Sequence, residues 1–357
     1  MNGQVLISAQ RPKLASPATE RRKYAKAAVV QGFLLALGLA IMAGLMWQIG
    51  PEKILVHLRP LGWTIGFSLL PYLLVLLLDS LGWRYAFERS IPPTLAGLTL
   101  IHIIGKAVNL ITPLVPIGGE PLKAHLLSTR GVPLTEGLAS VVISRTVATV
   151  AQGVFVTAVT AFTFFSLGIA VPLLKAVLGV VGVGLVLVGA FLLTQIRGLF
   201  AGILGITGWL RIKLSFLEDG ARDLDRRISR YYLHQPRRLS LALTFHFLSW
   251  LAEGLEVYVL LALLDLPRSP ALALALAAFS STIRAASFAV PASLGVQEGG
   301  SIFLFVSFGL PPGAAMAFSI LRRLREVAWS AVGLILLSWH APGQRIPGFC
   351  AGAQNQN

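Results

Sequence analysis

Glu120, Gly131 and Arg145 recur as Glu298, Gly309 and Arg323, each shifted by 178 positions. The same shift carries Lys106 onto Arg284, Pro113 onto Pro291, Pro133 onto Pro311 and Ala139 onto Ala317. Carboxylates and guanidinium groups in apolar surroundings are costly and rarely idle. Their chemistry is ion pairing, or capture of a polar head group; arginine in particular offers a planar fork of donors that fits phosphate. In the first copy His102, Lys106 and Asn109 are spaced four and three apart and share one helical face. The second copy offers Ser280, Arg284 and Ser287 at the matching positions. Each stripe carries one cation at its centre, and a buried cation needs a partner. Glu120 and Glu298, on glycine-rich turns, are candidates, as is the head group of a lipid. Glu253 and Glu256 share a face of a later helix and could counter the same cations or line the same cavity. Asp79 is expected at the cytoplasmic interface beside Arg84, and His246 as a satisfied helix histidine.

These residues sit in a chain of 357 residues that is 55% hydrophobic and only 13% charged. A soluble domain carries roughly 25% charged residues, so the composition is that of an integral membrane protein. The formal charge of +15 reads as topology and anionic-lipid contact at a basic loop, not as nucleic-acid binding. The single cysteine, Cys350, rules out an intrachain disulfide and a multi-cysteine metal site. No metal or cofactor motif and no catalytic motif is found, so no enzyme activity is expected.

A spanning helix needs about 20 apolar residues. Six such runs are expected: Val29–Ile49, Leu61–Leu81, Thr135–Phe165, Val171–Ile196, Leu239–Leu264 and Gly313–Trp339. Two stretches, Pro92–Leu134 and Pro270–Pro312, instead contain two apolar runs broken by PLVPIGGEP and PASLGVQEGG. Proline ends helices and glycine allows close backbone approach, so both read as re-entrant helical hairpins. The repeat units lie near 92–166 and 270–340. Residues 1–27 form a basic cytoplasmic arm, 28–340 a single transmembrane domain, and 341–357 a cytoplasmic tail. The basic loop 197–238 should also be cytoplasmic. Three spans between the hairpins then make the repeats inverted, with both termini on the cytoplasmic side. Within the loop, Leu217, Ala221, Leu224, Ile228 and Tyr231 recur at helical spacing, which predicts an amphipathic helix lying on the membrane surface. Its Asp223-Leu224-Asp225 triplet mimics a metal-binding DxD motif, but Arg222 and Asp225 satisfy helical charge-pair spacing.

The segments GGEPLKAHLLSTRGVPLTEGLASVVISR (Gly118–Arg145) and PASLGVQEGGSIFLFVSFGLPPGAAMAFSILRR (Pro291–Arg323) resemble the signature segments of the flippase-like transmembrane family. Its best-known members are the membrane portions of lysylphosphatidylglycerol synthases. The resemblance covers the chain after the N-terminal arm, and its details are similar to the subgroup that accompanies hopanoid biosynthesis. It implies a bacterial inner-membrane protein that moves or presents a hopanoid or polar lipid, with Glu120, Arg145, Glu298 and Arg323 as the polar core. Lys123 stands where many relatives have arginine; it keeps the charge but not the bidentate geometry. No soluble aminoacyl-transferase domain accompanies the membrane part, so lysine transfer is not expected. Two alternatives carry different expectations: a membrane scaffold that docks lipid-biosynthesis enzymes through the basic loop, and a membrane-embedded lipid transferase.

Overall fold

The computed structural model describes residues 37, 40–88, 93–112, 118–167, 215–287, 290 and 293–339, with a discontinuous set between 179 and 195. The arm 1–27, the tail 341–357 with Cys350, about half of the first expected span and most of the fourth, the loop as far as 214, and turn residues 113–117 and 291–292 lie outside the described residues. All regular structure among the described residues is helical. It begins with α1 (Ala40–Ile49), α2 (Pro51–Leu58), a 3-10 stretch (Arg59–Ser68) and α3 (Leu69–Tyr85). The first broken unit follows: α4 (Leu95–Ile111), α5 (Gly119–Ser128) and α6 (Leu134–Leu167). After α7 (Gly182–Gln195) come α8 (Ser215–His234) and α9 (Pro236–Leu263). The second broken unit is α10 (Pro270–Ala286), α11 (Val296–Ser307) and α12 (Pro312–Trp339).

Local chemistry sets these boundaries. Thr94 caps α4 by accepting from the Gly97 N–H, and Ser269 caps α10 by accepting from Leu272 N–H, with Pro270 in the first turn. α5 and α11 end alike. Gly131 and Gly309 take positive φ, 88° and 74°. Val132 N–H then reaches back to Leu127 O at 3.2 Å, and Leu310 N–H to Phe305 O at 2.8 Å. This closure satisfies carbonyls that a helix end leaves open. Pro133 and Pro311 follow, one residue before or at the threshold of the next long helix.

Among the described residues, three helical stretches are both long and apolar enough to cross a membrane: Pro51–Tyr85, Leu134–Ser166 and Pro236–Leu263. α12 has 28 residues, the length of a span, but carries Arg322, Arg323, Arg325 and Glu326 within it. α5 and α11 have 10 and 12 residues, about 15 and 18 Å of helix. A hydrocarbon layer about 30 Å thick is beyond either of them. The second span starts ten residues earlier than its apolar run predicts. Pro51 and Glu52 open α2 with favourable first-turn chemistry, although Lys53, His57 and Arg59 interrupt the hydropathy. A kink at Gly62 (φ 46°) then joins the two parts.

Burial divides the bundle into two apolar clusters. One gathers Trp83, Phe87, Leu98, Ile101 and Ile104 with Val141–Val147 of α6 and Ala242 of α9. The other gathers Phe155 and Val159 of α6, Val257–Leu261 of α9, and the walls of α10–α12. Between them, on the same α9, lie His246, Glu253 and Glu256, all buried. The polar groups thus form a layer between two dry regions.

The amphipathic loop helix packs its apolar stripe on protein. Leu224, Ile228 and Tyr231 of α8 are buried in the first cluster, beside Trp83 and Phe87. The apolar stripe covers protein rather than lipid because the end of α3 holds it there. Glu88 accepts from Arg230 at 2.9 Å, Tyr231 Oη donates to Tyr85 O at 3.1 Å, and Arg238 donates to Phe87 O at 2.7 Å. Asp223 receives Arg227 Nε at 3.0 Å, and that guanidinium holds its carboxyl below the usual carboxylate range. A carboxylate so engaged is a poor metal ligand.

Helix α5 can reach α4 only because two glycines meet: a Cβ on Gly119 would collide with the Gly105 carbonyl oxygen. Gly119→Ala should therefore lower stability by about 1–3 kcal/mol, read as a fall in thermal midpoint of the detergent-solubilised protein. Gly299→Ala, where a Cβ meets open space, should leave the midpoint unchanged or raise it.

Candidate functional site

The polar layer is assembled from two similar sets of ion pairs. In the first, Asp79 of α3 accepts from Lys106 Nζ of α4 at 3.3 Å and from His246 Nδ1 of α9 at 3.3 Å. His102 Nε2 lies 3.7 Å from the same carboxylate. Asp79 is therefore set inside the bundle, with partners from neighbouring helices rather than Arg84. An apolar helix carries a lone acid to that depth only when cations from neighbouring helices meet it. His246 is satisfied as expected, with Ser144 Oγ at 3.2 Å on its other nitrogen. In the second set, Glu253 of α9 accepts from Arg284 of α10 at 2.6 Å and also from Arg322 of α12. Glu256 takes Arg325. In both sets an acid on the helix before the broken unit meets a cation in the C-terminal half of its first helix.

Tyr72 joins the sets. Its hydroxyl accepts from Lys106 at 3.2 Å, and the Arg325 guanidinium lies 4.0 Å from its ring centroid. α4 and α12 come close enough for this because Gly333 abuts Ala107 and Ile103: a Cβ there would lie 2.6 Å from the Ala107 Cβ.

The short helices differ in how their glutamates are used. Glu298 accepts the Gly295 N–H at 2.7 Å and Arg323 Nε at 3.0 Å, so it caps α11 and ties it to α12. Arg323 also reaches Glu326 at 3.2 Å. Glu120 is taken instead by Lys123, one turn along α5, at 3.1 Å, and by Asn109 Nδ2 at 3.3 Å. Asn109 Oδ1 accepts the Gly119 N–H at 2.7 Å, which holds α5 against α4. Lys123 is buried, with its ammonium 5.7 Å from the Trp83 ring centroid. The position matching Lys123 in the second unit is Ser301. Arg145, the counterpart of Arg323, is consequently released. It is exposed on α6, and its guanidinium makes no ion pair or hydrogen bond among the described residues. Its charge acts on Glu120 and Lys123 through space only.

The remaining candidates are placed as follows. Ser280 lines an open recess with Glu298 and Arg323. Ser287 folds back on Arg284 O at 3.0 Å and closes α10.

A protein-family model described as the lysylphosphatidylglycerol synthase TM region matches residues 34–333. The chain belongs to that family. No curated protein and no solved structure matches it. The matched span takes in α3 and α9 as well as both broken units.

Three members of this layer escape a reading of the sequence. Tyr72 gives no sign except its position seven residues before Asp79, two helical turns along one face. Arg322 and Arg325 lie in an apolar helix with Glu326 as their nearest acid in the sequence. Only the packing of α12 on α9 offers them Glu253 and Glu256.

The Arg325–Glu256 pair is the most deeply buried, at 2% and 1% side-chain exposure. Breaking such a pair leaves a charge without compensation. Glu256→Leu should cost about 3–5 kcal/mol, while Glu256→Leu with Arg325→Leu should recover most of the loss. Thermal unfolding of the single and double variants checks the sign.

Proposed function

We propose that this membrane protein moves or presents a polar lipid across the bacterial inner membrane, with a hopanoid or another polar lipid as cargo, and without altering it chemically. The observation that supports this reading is Arg145. It stands 11 residues into α6, about 17 Å from the start of that helix, exposed and without an ion pair among the described residues. Every other cation named in the polar layer has an acid. A lone guanidinium on an apolar helix suits a phosphate-bearing head group. Tails would stay in the surrounding lipid while the head group passes along the layer between the two apolar clusters.

Broken helices add to the argument. α5 and α11 end within the thickness of a bilayer, and irregular backbone is tolerated there only inside protein or beside a wet cavity. Two such units of the same order are the arrangement from which alternating access is built. In this reading the units are inverted, both termini lie on the basic, cytoplasmic side, and Lys106, Glu120, Lys123, Arg284, Glu298 and Arg323 hold the route open as paired charges.

The test is transbilayer movement of a head-group-labelled phospholipid in vesicles containing the purified protein. Arg145→Ala should slow the protein-dependent rate at least about ten-fold, the loss of one charge-assisted contact, with the thermal midpoint unchanged. Arg145→Lys should retain part of the rate. Equal rates for Arg145→Ala and the unaltered protein would remove Arg145 from the mechanism.

A further inference from the structure

We infer that the recess between α10, α11 and α12 is a binding site for an uncharged, polyhydroxylated group, such as a glycosyl or polyol head group. Its walls include Ser280, Gln297, Ser301 and Ser319, together with Glu298, Arg322 and Arg323. Most hydroxyls on helices of this protein are spent on a carbonyl of their own helix: Thr146, Thr160, Ser281 and Ser307 all bond the residue three or four before. Ser280, Ser301 and Ser319 do not. Neither they nor the Gln297 amide makes a side-chain hydrogen bond among the described residues. The Ser319 oxygen is buried without a partner, in a residue only 7% exposed. A buried hydroxyl left unpaired is unfavourable, and each such group in a native structure calls for a reason.

The charges of the recess point away from an ion. Arg322 is held by Glu253, and Arg323 by Glu298 and Glu326. The second oxygen of Glu298 is taken by Gly295 N–H. Around this half of the layer Arg284, Arg322, Arg323 and Arg325 face Glu253, Glu256, Glu298 and Glu326, so the charges balance. A phosphate would have to displace a glutamate from an arginine, and a cationic group would have to displace an arginine from a glutamate. A diol does neither. Each of its hydroxyls both donates and accepts, as serine does, and an amide spans two of them.

The first unit carries different side chains at the matching positions. Where the second has Ser280, Gln297, Ser301 and Ser319, the first has His102, Gly119, Lys123 and Val141. There Lys123 fills the space, so close to Gly105 that a Cβ on the glycine would strike it, and its charge is committed to Glu120. Three serines and an amide in place of an imidazole, a lysine and a valine leave hydrogen-bonding capacity unspent.

The site deepens the lipid-handling reading and rests on it only for the lipid form of the ligand, so the test measures binding without transport. Full-length protein would be titrated, in a detergent without sugar groups, with monoglucosyl diacylglycerol, with phosphatidylglycerol, and with free glucose, using native mass spectrometry to count adducts. Saturable uptake of the glucolipid is expected. Gln297→Ala and Ser319→Ala should each weaken it about five- to ten-fold, the effect of one neutral hydrogen bond. Ser319→Ala should keep its thermal midpoint, because it deletes a hydroxyl that the fold does not use. Competition by free glucose at equal molar strength would also support the site and would assign its ligand to the soluble pool. Glucolipid affinity unchanged in both variants, or preference for phosphatidylglycerol, would overturn the inference. Loss of movement in the Arg145 test with glucolipid binding intact would separate this site from the translocation reading.

Discussion

A charge carried out of water must meet its opposite, and that requirement organises this bundle. Two apolar clusters leave one layer in which ionised groups can gather, and the helices are arranged so that each buried acid there has a cation within reach. α3 and α9 supply Asp79, Glu253 and Glu256; α4, α10 and α12 supply Lys106, Arg284, Arg322 and Arg325. Replacing such pairs by apolar side chains is often neutral or stabilising in soluble proteins. Their presence here in two similar sets is the feature on which the proposed polar route rests.

The two sets are alike in plan and unlike in balance. In the second, Glu298 serves α11 as a cap and α12 as an anchor, which locks the short helix to the long one. In the first, Lys123 claims Glu120 from within α5, and α6 is left with an exposed arginine. One side chain thus converts a closed network into one with a charge to spare. Where Lys123 has given way to Ser301, the network closes and a neutral recess opens beside it.

Close approach of backbones makes this possible. Gly105 against Gly119 seats α5, and Gly333 against Ile103 and Ala107 lets α12 lie on α4. The second contact sets α12 beside α4, where Tyr72 stands between Lys106 and Arg325.

Much of this was legible in the sequence because its signals are local. Apolar runs of spanning length, proline and glycine at the breaks, and a three-residue signature repeated at one interval mark an all-helical membrane protein built around two broken units. They also mark the charges that must be paired. The partners were not legible. Asp79 looked like an interfacial acid, since Arg84 is near in sequence and Lys106 and His246 are not. The α8 stripe looked ready for lipid, since nothing local reveals that Glu88, Tyr85 and Phe87 hold it inward. Spacing records which residues share a face; which face meets which is decided when helices distant in the chain pack, and that packing alone leaves Arg145 without an acid and Ser319 without a hydrogen bond.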